Sequence, residues 1–128
     1  MKPTLLQDWI TIRAVEASSS VSQSAHQYVD IGHHEDLVFY LDVKQVENSP
    51  SISYETAPAL QDSLFLPMIA PIALAIGLRV DRVMFSTAAI PPARYVRWRL
   101  THGIGTCTAT FRIWLVAYDF SAARPRVA

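Results

Sequence analysis

Two runs of strict alternation constrain this chain more than anything else in it. Ala-Arg-Tyr-Val-Arg-Trp-Arg-Leu-Thr fills positions 93–101, and Phe-Arg-Ile-Trp-Leu-Val-Ala-Tyr fills 111–118. In the first, Val96, Trp98 and Leu100 fall on one side, with Tyr95, Arg97 and Arg99 on the other. In the second, Phe111, Ile113 and Leu115 oppose Arg112, Trp114 and Val116. Successive side chains of an extended chain point to opposite sides, so both runs are strands with one face on a core. Gly103 and Gly105 lie between them, which predicts a hairpin joining the two. No catalytic constellation accompanies the pair.

The same period recurs upstream. Trp9 to Glu16 alternates and is rich in β-branched residues, and His26 to Ile31 is a second short strand ended by Gly32. In Glu35 to Val46, Leu37, Phe39, Leu41 and Val43 share a face opposite Asp36, Val38, Tyr40, Asp42 and Lys44. Asn48-Ser49-Pro50 makes a turn, after which Ser51 to Thr56, Leu64 to Ile69 and Leu78 to Thr87 return to strand. Pro71 to Ile76 reads as a loop or irregular strand, because the proline limits any helix there. The expectation is an all-β fold, an antiparallel β-sandwich of roughly seven or eight strands, jelly-roll or Ig-like in topology. Residues 1–8 are expected as an arm, 9–120 as a single sandwich domain and 121–128 as a short basic tail.

Composition narrows the class further. A chain of 128 residues suffices for one domain, and 51% hydrophobic residues against 17% charged excludes disorder. It also implies an apolar surface that meets another protein. Eleven basic and eleven acidic residues leave no net charge, which argues against nucleic acid and gives a free monomer little solubility reserve. Cys107 is alone, so an intrachain disulfide is impossible. Met1 to Trp9 has no apolar core of a signal peptide, and the apolar stretch from Leu64 to Leu78 is broken by Pro67 and Pro71. The expectation is a soluble product, intracellular or released without a signal sequence, with no membrane partner.

Candidate chemistry is thin. His33-His34-Glu35-Asp36 is the densest group of metal ligands, but neighbouring strand residues diverge, so a solvated loop is the simpler reading and no metal site is assigned. Cys107 with His102 resembles a nucleophile and base, yet no orienting group accompanies them and a buried small hydrophobe explains the cysteine. Asp42, Glu47 and Glu55 are read as surface residues. No catalytic residue and no cofactor are expected. Arg79, Arg82, Arg94, Arg97, Arg99 and Arg112 admit three readings. They are a solvent face with cross-strand ion pairs to residues such as Asp81 or Glu55, an interface with a neighbouring subunit, or a phosphate- or base-binding face. Leu64 to Ala70 is either core or a covered contact. The interface candidates are Leu64, Phe65, Leu66, Met68, Tyr95, Arg97 and Arg99.

Three segments carry a resemblance. Tyr54-Glu55-Thr56-Ala57-Pro58 with Asp62-Ser63-Leu64-Phe65, Ala93-Arg94-Tyr95-Val96-Arg97-Trp98, and Thr110-Phe111-Arg112-Ile113-Trp114 resemble strands of small β-sandwich structural proteins of phage and prophage particles, over about residues 35 to 120. That resemblance implies a non-enzymatic virion component, a capsid decoration (cement) or tail accessory protein. It implies a homo-oligomer such as a trimer, bound to a major capsid or tail protein and located in the assembled particle after synthesis in the host cytoplasm. The alternative is a discoidin-like carbohydrate-binding module with Tyr28, Tyr40, Tyr54 or Trp114 as stacking platform. The disulfide often found in those domains cannot form here.

Overall fold

The computed structural model describes residues 2–14, 20–32, 34–103 and 106–118. Ten strands follow in order: β1 (Lys2–Ala14), β2 (Ser20–Ser22), β3 (Val29–Asp30), β4 (Asp36–Glu47), β5 (Ser51–Ala57), β6 (Leu66–Pro67), β7 (Ile72–Ala73), β8 (Gly77–Val83), β9 (Tyr95–Thr101) and β10 (Cys107–Tyr118). Two single 3-10 turns, Ala25–Gln27 and Asp62–Leu64, interrupt them.

The strands form two antiparallel sheets. The first has the order β1-β10-β4-β8, and the second runs β2-β9-β5-β6. In the second sheet β3 adds to β9 and β7 to β5. First and last strands lie side by side, and the chain alternates between sheets as it winds inward. This is a jelly roll and not an Ig-like sandwich.

Alternation fills the space between the sheets. Leu37, Phe39, Leu41 and Val43 of β4 and Phe111, Ile113 and Leu115 of β10 are buried on the inner face of the first sheet. Val96, Trp98 and Leu100 of β9 with Ile52 and Tyr54 of β5 meet them from the second. Two aromatic contacts span the layers. Phe39 stacks on Tyr54 with ring centroids 3.8 Å apart, and Trp98 meets Phe111 edge-on at 5.0 Å. A polar strut stands beside them: the Trp98 Nε1–H donates to Gln7 Oε1 at 3.1 Å, and Gln23 Nε2 donates to the Leu6 carbonyl. The strut ties β1 of one sheet to β9 of the other, with every member buried.

Two expectations about connectivity are corrected. The runs at 93–101 and 111–118 are strands, but not a hairpin: β9 pairs with β5, whereas β10 sits between β1 and β4. The two strands belong to different sheets, so the chain between them passes from one sheet to the other. Alternation reports which side of a strand is buried, and two strands facing each other across a sandwich alternate as well as two neighbours do. The expected arm is also different, since Lys2 begins β1 and pairs opposite Ala117 of β10. Pro3 and Leu5 face outward there, so the apolar pattern that marks a strand was inverted at that end. The tail at 121–128 lies outside the described residues.

Candidate functional site

The outer face of the first sheet is built from the sides of β1, β4, β8 and β10 opposite the core. Pairing sets these side chains in rows. Leu5, Trp114, Tyr40 and Val80 lie in register across the four strands. Pro3, Val116, Val38 and Arg82 form the row on one side, and Arg112, Asp42 and Leu78 the row on the other. Side chains directly opposite on one face are within contact distance. The middle row is apolar throughout and open to solvent: Tyr40 is 37% exposed, Trp114 38% and Val80 48%. Leu78 is 66% exposed. A shallow hollow of about 480 Å³ lies over Val38, Tyr40, Val80, Arg82 and Met84.

Cations frame this surface through aromatic rings. The Arg112 guanidinium sits 4.8 Å from the Trp9 ring and 6.0 Å from Trp114, and Lys44 Nζ lies 4.2 Å over Trp9. Arg112 Nε is buried with no hydrogen-bond partner among the described residues. A sheet face exposed on one side is ordinarily polar, so this one is anomalous.

The outer face of the second sheet is closed by the chain itself. Arg97, 2% exposed, lies under the turn at Asp62–Leu64. Its Nε donates to Glu55 Oε1 at 2.7 Å, and Nη1 donates to Tyr28 Oη at 2.9 Å and to Asp62 Oδ1. Phe65 and Tyr28 cover the guanidinium at 4.2 and 5.5 Å, their own rings 4.9 Å apart. Burial alone lowers the pKa of Arg97, but the hydrogen bonds that it donates to Asp62, Glu55 and Tyr28 outweigh it and raise the value. Asp62 is held below the usual carboxylate range by the hydrogen bond and charge of Arg97. Arg99 adds a second cation 4.0 Å from Glu55 and donates to Ser20 Oγ at 2.7 Å.

The interface candidates read from the sequence are distributed over this architecture. Phe65, Met68 and Arg97 are enclosed within the fold. Leu64 and Leu66 are exposed at the turn and at β6, and Tyr95 and Arg99 are half-buried on the outer side of β9. Of the other arginines, Arg79 pairs with Asp81 at 2.8 Å and Arg94 with Asp30 at 3.3 Å. Cys107 is buried in the core cluster. His33 lies outside the described residues, while His34 Nδ1 bonds the Ile31 carbonyl and Asp36 accepts the Phe85 N–H at 3.0 Å. Of the proposed stacking residues, Tyr54 is buried and its phenol is pushed up, by burial first and then by Asp81. Tyr28 covers Arg97, and Tyr40 and Trp114 stand together in the exposed row.

Tyr40 and Trp114 were named from the sequence only as stacking candidates, and the apolar row that they form with Leu5 and Val80 was not. Its signal was present: Val38 and Tyr40, like Trp114 and Val116, sit on the side of their strands where a solvated sheet carries polar residues.

Fold and surface together define an all-β jelly-roll domain with one sealed outer face and one open apolar one. No family model matches the chain, and no curated protein matches it. A solved structure described as "Bacillus endospore appendages form a novel family of disulfide-linked pili" is similar at 15% sequence identity and a TM-score of 0.47. The likeness covers 93% of this chain and 91% of that one.

Proposed function

We propose that this protein is a non-enzymatic structural subunit that assembles with copies of itself on a larger particle. The observation that carries the reading is the apolar row Leu5–Trp114–Tyr40–Val80, flanked by Val38, Val116 and Leu78 and open to solvent. Covering such a row removes apolar area from water at about 25 cal/mol per Å², the ordinary driving force of association. Tyr and Trp are also the residues that dominate protein interfaces. The rim of Arg82, Arg112, Asp42 and Asp36 supplies both signs of charge, which suits a copy of the same surface.

The particle we favour is a virion or virion-like assembly, with the chain as a capsid decoration or tail accessory protein bound to a major capsid or tail protein. This rests on the three strand segments that resemble such proteins. Light scattering at micromolar concentration should show a homo-oligomer, and the chain should co-sediment with assembled particles made in the same cells. A clean monomer that stays in the supernatant would contradict the proposal.

One observation favours a second reading. Tyr40 and Trp114 are register partners on a flat exposed sheet, which is also how sugar rings are stacked. A glycan array separates the two: assembly predicts no signal, and a carbohydrate-binding module predicts binding lost in Trp114→Ala.

A further inference from the structure

A sandwich of this kind has to deal with its edge strands, since an unpaired edge is a template for another chain. Three of the four edges here are blunted. In the second sheet each edge is split into two pieces of at most three residues, β2 with β3 and β6 with β7. β1 carries Pro3, which has no N–H to offer, and two register shifts interrupt its pairing with β10 between Leu5 and Ile10.

β8 has none of these devices. Its seven residues, Gly-Leu-Arg-Val-Asp-Arg-Val, pair with β4 without a register shift and contain no proline. No strand among the described residues takes its far side. Exposed apolar residues concentrate here too: Leu78 and Val80 lie in β8, and Ile76 and Phe85 flank it.

We propose that β8 pairs antiparallel with β8 of a second copy, about a two-fold axis through Val80, joining two four-stranded sheets into one. The inference rests on the self-assembly reading above and adds an edge contact beside the apolar row. Three features of the strand fit that register. Paired residues of an antiparallel ladder project to the same face, so a two-fold that keeps the core side inward matches odd with odd and even with even positions. Centring on Val80 uses the whole strand, from Gly77 opposite Val83 to Val83 opposite Gly77.

That register also sets Arg79 opposite Asp81 of the second copy, and Asp81 opposite its Arg79. These two side chains already bond within one chain at 2.8 and 3.1 Å, so the dimer closes a four-membered ring of alternating charge. On the outer face Leu78 meets the aliphatic stem of Arg82. The apolar row then runs without a break from Leu5 through Val80 to Val80 and Leu5 of the second copy. A closed two-fold contact makes the elementary unit a dimer and consumes both copies of the edge, which prevents runaway pairing.

Cysteine scanning tests the register. Opposed residues bring Cβ atoms to about 4.5–5.5 Å, close to what a disulfide spans. Val80→Cys should therefore oxidise to a covalent dimer. Leu78→Cys alone and Arg82→Cys alone should not, because each lies ~13 Å from its own copy. An equimolar mixture of the last two should crosslink. Cys107 is buried and does not compete. Arg79→Asp should weaken the dimer about tenfold by setting carboxylate against carboxylate, and Arg79→Asp/Asp81→Arg should restore it. If the wild type self-associates but Val80→Cys gives no crosslink, or all three variants crosslink alike, edge pairing is overturned while the self-assembly reading stands. A wild type that sediments as a monomer overturns both.

Discussion

The two outer faces of this sandwich handle the same problem in opposite ways. Each sheet turns one face to the core and must do something with the other. Over β9 and β5, the chain folds its own turn at Asp62–Leu64 across the strand and stores a charge beneath it, Arg97 held by Glu55, Asp62 and Tyr28. Over β10 and β4 no segment among the described residues returns, and Tyr40, Trp114 and Val80 remain uncovered. Alternating residues alone do not decide which face is which. An arginine is buried on one outer face and a tryptophan is exposed on the other, so local hydrophobicity and burial run opposite ways. What decides is whether the chain supplies a lid.

The sealed face should therefore be sensitive to stability and the open face to association. The largest effect is expected at Arg97. Removing it in Arg97→Ala leaves the buried Glu55 with only Arg99, 4.0 Å away, and should cost about 3 kcal/mol in urea unfolding. Replacing both members, Arg97→Met with Glu55→Leu, should recover most of that loss, because the cost lies in the orphaned charge. A double variant as unstable as the single one would mean that the lid depends on something other than this pair.

A smaller loss is expected where the two sheets are tied together. Gln7→Ala strips the acceptor from the buried Trp98 indole N–H and should cost about 1–3 kcal/mol, read as a shift in the unfolding midpoint with no change in its slope.

Smaller still is Asp62→Asn, at the exposed end of the network. The Asp62 pKa is lowered in the folded state, so its contribution is present above the ordinary carboxylate pKa and is lost as pH falls through the folded value. Wild type and Asp62→Asn should differ near neutrality and converge in strong acid. A difference that persists in acid would assign the effect to packing of the turn and not to charge.

Much of this was legible in the chain. The period-two runs gave an antiparallel all-β fold, its inner face and most strand positions, because Leu37, Phe39, Leu41 and Val43 mark one side of β4 as core. Pairing was not legible. The link between β9 and β10 is consistent with a hairpin or an arch, and only long-range contacts such as Trp98 with Phe111 choose between them. The lid over Arg97 was hidden for the same reason: Tyr28, Asp62 and Phe65 are far from it in sequence. Its pairing with Glu55 is the cross-strand relation expected between β5 and β9, but both residues are buried, so Glu55 is not the surface residue, nor the pair the solvent-face contact, that the sequence suggested. The open face could have been found, since Val38, Tyr40, Trp114 and Val116 break the polar half of the alternation that their own strands display.

The measurement that bears most directly on the account is sedimentation of the wild type beside Tyr40→Ser/Trp114→Ser, with unfolding curves recorded on the same samples. Both side chains are register partners outside the core with more than a third of their surface exposed, so their loss should lower monomer stability by about 2–4 kcal/mol at most and leave the fold intact. The account predicts a wild type that associates with rising concentration beyond the β8-paired dimer, and a double variant that stops at that dimer while still unfolding in one cooperative transition. A variant that associates as strongly as the wild type, or a wild type that never does, would contradict it.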